Sequence, residues 1–405
     1  MSSFDIASAR ESFPSLKQSQ VFFDNAGGSQ TLGTVIDSIC NYLSKTNVQL
    51  GASYAVGQKS TALYSAGFEA AAKFINASPD NIVLGSSTTQ LFRNLSSALE
   101  FPAGSELVIS SIDHEANIAS WLDLANRRNL VIKWWAPKTK ENPKLLASDL
   151  PDLLSSKTVL VTCTHASNIL GTIHDIKAIA DAVHTIPGAL LCVDAVAYAP
   201  HRQIDVKALG VDFYAFSWYK GLQATVSLGH FFNPSKTLDN KLGLAGANYE
   251  LTSSIPSVFN YFGSSLSEKW AAIEKHEGEL QGTLLQYLNA RPDVTICGEK
   301  DADTKKRVST ISFVVKEKNS KDVVEKVDEL SKGEMGIRWG GFYSNRLVNE
   351  VLGLGNDGVV RVSMVHYNTG KRSLLSSAHN SVIDFKTVEE VKQLLGLFDQ
   401  VLGKA

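Results

Sequence analysis

The chain is poor in the features that commit a protein to a special environment. It has four cysteines in 405 residues (Cys40, Cys163, Cys192 and Cys297), far apart and without a C-x-x-C pair, which argues against a disulfide framework or a thiolate metal site. Cys192 and Cys163 fall in strand-like runs and read as buried thiols. No apolar stretch is long enough to span a bilayer, and the opening residues MSSFDIASARESF lack the apolar core of a signal peptide. A formal charge of −2 offers no basic surface for nucleic acid. No repeat, low-complexity tract or long linker breaks the chain. These absences favour a cytoplasmic protein that acts on small molecules, with no nucleic-acid or membrane partner.

What is present is an alternation of short β-rich runs and helical patterns, in a chain long enough for two domains. Strands are expected at 81–85, 106–111, 130–135, 158–163, 189–194 and 211–217, with helices at 88–100, 115–127 and 174–185. That order predicts an α/β domain with a mainly parallel sheet. From about 255 the pattern changes to a helix near 264–290, a strand at 311–315, a helix near 320–332, a strand at 359–366 and a last helix at 387–402. The expected division is a large α/β domain over 21–254 and a smaller α+β domain over 255–405, completed by residues 1–20.

In open parallel sheets, ligands bind beyond the carboxyl ends of the strands. Thr88 and Thr89, His114, Asn168, Asp194, Ser217 and Lys220 all fall at such ends. Asp194 closes the apolar run LLCVD, and Lys220 follows VDFYAFSWYK. Such a pair suits pyridoxal phosphate (PLP): the carboxylate keeps the pyridine nitrogen protonated, and the amine carries the aldehyde as a Schiff base. Alone, Asp194 reads as a strand cap or ion-pair partner and Lys220 as a solvated lysine. Together they favour the cofactor, because a carboxylate among Leu190, Leu191, Cys192 and Val193 needs a cationic partner. The aromatic approach to Lys220 would also lower its pKa and free the amine.

The other candidates extend this site. GSSTTQ opens a helix whose spare N–H groups, with Thr88, Thr89 and Ser217, would cradle a phosphate; plain N-capping uses the same residues. His114 can stack on the cofactor ring or serve as a structural histidine; Ile118 stands where a zinc-binding H-E-x-x-H needs its second histidine. Arg361, in an apolar run, needs an anion, either a substrate carboxylate or an internal carboxylate, and Arg338 is a second candidate. Gly353, Gly355 and Gly358 spell G-x-G-x-x-G, but a strand-like run follows, so the segment reads as a turn.

In their order and spacing, FFDNAGGSQ, GSSTTQ, DHEANIASW, THASNILGTI, VDAVAYAPHRQIDVKALGVDFYAFSWYK, ANYEL and RVSMVHYNT resemble the class V aminotransferase family of fold-type I PLP enzymes. Within it they are most similar to the cysteine desulfurase and selenocysteine lyase-like branch, over nearly the whole chain. The resemblance implies that Lys220 is the PLP lysine, Asp194 the pyridine-nitrogen partner, His114 the stacking residue and Arg361 the carboxylate binder. It places Asn168 near the cofactor's phenolic oxygen, and implies a homodimer in which Asn248 reaches the neighbour's phosphate. Three departures stand out. Tyr343 occupies the loop where desulfurases carry a persulfide cysteine, and no cysteine follows Cys297. Ala197 replaces the usual glutamine or histidine beside the phenolic oxygen. Tyr219 precedes the lysine where many relatives have histidine, and GLQATVSLG lacks the usual glycine-proline turn. The implied activity is a C–S lyase-like reaction without a persulfide cysteine. Another PLP reaction (aminotransfer, epimerisation, decarboxylation or C–C bond formation) and a non-catalytic partner protein are the alternatives.

Overall fold

The computed structural model describes residues 4–218, 224–228, 237–243, 246–263, 265–370 and 389–404. The strands are β1 (Val21–Phe22), β2 (Ile82–Gly85), β3 (Glu106–Ser110), β4 (Val131–Trp135), β5 (Thr158–Thr164), β6 (Leu190–Asp194), β7 (Phe213–Phe216), β8 (Ala224–Leu228), β9 (Val294–Cys297), β10 (Thr310–Val315), β11 (Met335–Gly336), β12 (Arg338–Gly340) and β13 (Val359–Ser363).

Seven strands form the main sheet in the order β2-β8-β7-β6-β5-β3-β4. The pairs from β7 to β4 are parallel, and only β8 runs against the rest. Strands β6 and β7 are buried at every residue, the signature of parallel strands covered on both faces. Alternation along β6 sends Leu191 and Val193 into one apolar cluster, with Ile176 and Ile179 of helix Ile176–Val183. Leu190 and Cys192 enter the other, with Phe92 and Trp121 from helices Thr88–Ala98 and Ala116–Arg128. The chain moves outward from β3 to β4, then crosses back to place β5 on the other side of β3. That reversal opens a crevice at the carboxyl ends of β3 and β5.

A second, antiparallel sheet in the order β12-β13-β10-β9 packs with helices Leu266–Asn289, Ser320–Leu330 and Glu390–Leu402. Its core includes Leu280, Leu284, Phe313, Val360, Leu394 and Phe398, and takes in Val21 and Phe23 from the N-terminal segment. Pairing of β1 with β11 and the Arg10–Glu390 ion pair (2.8 Å) tie that segment to this domain. The architecture is therefore the α/β fold with a smaller α+β part that the sequence predicts. Helix Tyr249–Phe262 spans the expected boundary at 254/255 and packs on helices Gly33–Lys45 and Ala55–Phe74. Gly353, Gly355 and Gly358 have φ of +71°, +63° and +66° and turn the chain into β13, so no dinucleotide helix follows them. Cys163, Cys192 and Cys297 are buried free thiols, and Cys40 is exposed.

Candidate active site

The crevice contains a pocket of about 60 Å³ that brings together Thr88, Thr89, His114, Asn168, Asp194 and Ser217. Each arrives from a strand end or the first turn of a following helix. Ser87 caps helix Thr88–Ala98, its hydroxyl accepting the Gln90 N–H at 3.1 Å. Thr88 Oγ1 and Ser217 Oγ, from two different strand ends, lie 2.7 Å apart in a hydrogen bond. They form a paired hydroxyl wall beside the helix N-terminus, the donor arrangement a phosphate takes.

Asp194 lies at the end of β6, only 5% exposed, with Oδ1 accepting the Val196 N–H at 2.9 Å. His114 stands just before helix Ala116–Arg128. Its Nδ1 accepts the Ala116 N–H at 3.1 Å, which assigns any neutral-state proton to Nε2 and fixes the ring. Behind this wall, His165 stacks flat on Tyr198 (3.5 Å between centroids, 9°) and bonds the Tyr214 hydroxyl through Nδ1 at 2.7 Å. Burial holds His165 well below the usual histidine range, so it stays neutral. The Thr164 hydroxyl donates to the carbonyls of Ala166 (2.8 Å) and Asp194 (3.2 Å). Asp113, next to His114, accepts from Asn117 Nδ2 at 2.7 Å and from the Thr164 N–H at 3.1 Å. Burial raises its pKa to about 7.

The smaller domain closes the site from the other side. Arg361 on β13 is 2% exposed; Nη2 donates to Asp24 Oδ1 at 2.7 Å and Nη1 to the Asn168 carbonyl at 3.3 Å. Its guanidinium carbon lies 3.6 Å from the centroid of the Phe342 ring. Arg338, opposite Arg361 in the β12–β13 register, is more exposed and reaches Asp24 Oδ2 at 3.4 Å. Asn168 joins the two domains, Nδ2 donating to the Phe342 carbonyl at 3.1 Å and Oδ1 accepting from Ser344 Oγ at 2.9 Å. Tyr343 is 74% exposed, its ring centroid 5.5 Å from that of His114, and its carbonyl accepts the Glu115 N–H at 2.8 Å. Phe342 and Tyr343 both adopt left-handed φ, +48° and +59°. Consecutive residues of this kind are uncommon and cluster at functional sites.

Asn248 precedes helix Tyr249–Phe262 and is not among the described residues lining the pocket of one chain. Lys220 and Tyr219 lie outside the described residues. Asp24, Asp113 and Phe342 were not singled out from sequence. Asp113 had one available signal, an acid directly before the candidate stacking histidine.

The class-V aminotransferase family model matches residues 21–229 and 237–372. The chain belongs to the class-V aminotransferase family. It is 52% identical over 99% of its length to the aminotransferase-like protein FGM3 of Gibberella zeae, covering 99% of that protein. Over 90% of its length it is 38% identical to the cysteine desulfurase-like protein ustD of Aspergillus flavus, covering 87% of that protein. Among solved structures, the apo cysteine desulfurase of Thermococcus onnurineus NA1 matches all of both chains with a TM-score of 0.83 at 23% identity, which establishes the fold. The protein is thus an enzyme of this family, and its cofactor is PLP. The pocket fits that group: it gathers paired hydroxyls at a helix N-terminus, a buried carboxylate at a strand end and a fixed imidazole. No helix among the described residues is long and apolar enough to cross a membrane.

Proposed function

We propose that the enzyme is a PLP-dependent lyase acting at Cα and Cβ of a cysteine-like or otherwise β-substituted amino acid, releasing the β-substituent directly. The observation that carries this reading is Tyr343: a phenol, not a thiol, faces His114 on the loop Asn168 latches to the large domain. No cysteine is among the described residues lining the pocket, which supports direct release of the sulfur.

When bound, PLP withdraws electrons from the Cα bond that stands perpendicular to its ring. The protein's part is to hold and to choose. Thr88, Thr89, Ser217 and the helix N-terminus hold the phosphate; Asp194 pairs with the pyridine N–H; His114 packs against the ring. Arg361 takes the substrate carboxylate and thereby selects the bond to be broken. Lys220 would hold the cofactor and move the proton at Cα. The PLP-loaded protein given L-cysteine should release sulfide, pyruvate and ammonia in equal amounts and carry no protein-bound persulfide. An enzyme that forms persulfide contradicts the lyase reading; one that leaves cysteine intact excludes cysteine and moves the same assay to other β-substituted amino acids. A second reading, another PLP reaction at Cα or Cβ (aminotransfer, epimerisation, decarboxylation or C–C bond formation), draws support from Ala197, which would leave the side of the ring open. Its mark is a change in the cofactor's absorbance without sulfide or pyruvate.

We also infer a cytoplasmic homodimer. Ile36, Cys40 and Leu43 form an exposed stripe along helix Gly33–Lys45. A second copy on this face would bring Asn248 towards the partner's phosphate site. Replacing Leu43 by glutamate should lower the solution mass from twice 43.9 kDa to 43.9 kDa in light scattering. An unchanged dimer would place the interface elsewhere.

A further inference from the structure

Asp24 stands between two guanidinium groups, those of Arg361 and Arg338. It lies just beyond β1, bridged to Ser363 of β13, two residues along that strand from Arg361. One carboxylate oxygen takes Arg361 Nη2 at 2.7 Å, and the other faces Arg338 Nη1 at 3.4 Å. The Asn168 carbonyl holds Nη1 and the Phe342 ring covers one face, so the Arg361 guanidinium is restrained at three points. Its Nε is buried and has no hydrogen-bond partner among the described residues. A buried donor left unsatisfied costs free energy, and an arriving anion would satisfy it. Two arginines and one aspartate leave a single positive charge, matched to one carboxylate. Without Asp24, Arg361 and Arg338 would repel across β12–β13, and the guanidinium could turn on the Phe342 face.

We infer that Asp24 is a positioning residue: it fixes the plane of Arg361 so that the remaining donors, Nε among them, meet the substrate carboxylate in one orientation. This rests on Arg361 being the carboxylate anchor, as proposed above. Asparagine at 24 keeps an acceptor for Nη2 while removing the charge; alanine removes both.

The test uses the PLP-loaded enzyme and a matched pair of probes, L-serine and ethanolamine, which differ by the carboxylate alone. Binding is read from the change in the cofactor's visible absorbance. Asp24→Ala should raise the Kd for L-serine about tenfold and leave that for ethanolamine within about twofold, while Asp24→Asn stays within about threefold of the wild type for both. In an Arg361→Ala background, adding Asp24→Ala should change nothing further. Equal weakening of both probes by Asp24→Ala, or an additive effect on Arg361→Ala, would overturn the positioning role. If Arg361→Ala leaves L-serine binding unchanged, the carboxylate anchor itself fails, and the inference falls with it. Should Asp24→Ala not fold, Asp24→Ser, whose side chain is too short to reach Nη2, carries the same expectations.

Discussion

Replacing Asp194 by alanine should lower kcat/KM by a factor of about a thousand, a loss near 4 kcal/mol of transition-state stabilisation. The reason is electrostatic and local. Asp194 ends a strand buried at every residue, and its own side chain is 5% exposed. Few waters can screen it, so its pull on a protonated pyridine nitrogen acts through low dielectric. If Asp194 pairs with the pyridine nitrogen as proposed, its removal would weaken the hold on that proton and the ring would withdraw electrons less from Cα. Losing the Val196 N–H bond that Asp194 Oδ1 accepts is a structural cost of the change, while the Thr164 hydroxyl keeps its bond to the backbone carbonyl at this position. Asp194→Glu keeps the charge, and should recover part of the loss. Steady-state kinetics with the cofactor's absorbance recorded in each variant checks this. A loss below about tenfold in Asp194→Ala would show that the carboxylate does not serve the ring nitrogen.

Gly171→Ala should destabilise the protein by roughly 3 kcal/mol or more. Gly171 has a φ of +69°, in the region where a side chain meets its own backbone. A Cβ built there would stand 2.2 Å from the Thr310 carbonyl oxygen and 3.0 Å from that of Val308. Both belong to the smaller domain, and the Val308 N–H donates to the Gly171 carbonyl at 2.9 Å. The close approach is how the loop after β5 seats against β10. Asn168 is on the same loop, so a displaced alanine also shifts the residue that latches Phe342 and supports Arg361. Urea denaturation gives the stability change, and KM for the amino acid should rise in parallel. Wild-type stability in Gly171→Ala would mean that the two segments separate at no cost.

Much of the large domain was legible because its central strands leave little choice. Continuous apolar runs such as LLCVD and VDFYAF cannot lie on a solvated sheet, and the polar residues ending them fall where a parallel sheet binds ligands. Thr88, Thr89, His114, Asn168, Asp194 and Ser217 were found by that rule and meet in one pocket. Helices without a clean apolar stripe were not legible. Ala55–Phe74 is rich in small residues and approaches helix Tyr249–Phe262 closely at Gly67, whose absent Cβ would sit 2.2 Å from the Thr252 carbonyl oxygen. Tyr249–Phe262 carries Pro256 and buries Thr252, Ser253 and Ser254, which read as loop chemistry. Asp24 escaped for a different reason: its partner Arg361 is 337 residues away, and nothing local marks such a pair. The left-handed backbone at Phe342 and Tyr343 is equally silent, since residues of these types rarely adopt it.

If PLP is held on Lys220, as proposed, a covalent bond between them can be trapped. Reducing the PLP-loaded protein with borohydride and mapping its peptides tests that most directly. Visible absorbance should be lost on reduction, and the pyridoxyl group should be found on the peptide carrying Lys220, with none in Lys220→Ala. A protein that binds no chromophore, or carries the label on other lysines to the same extent in Lys220→Ala, would contradict it.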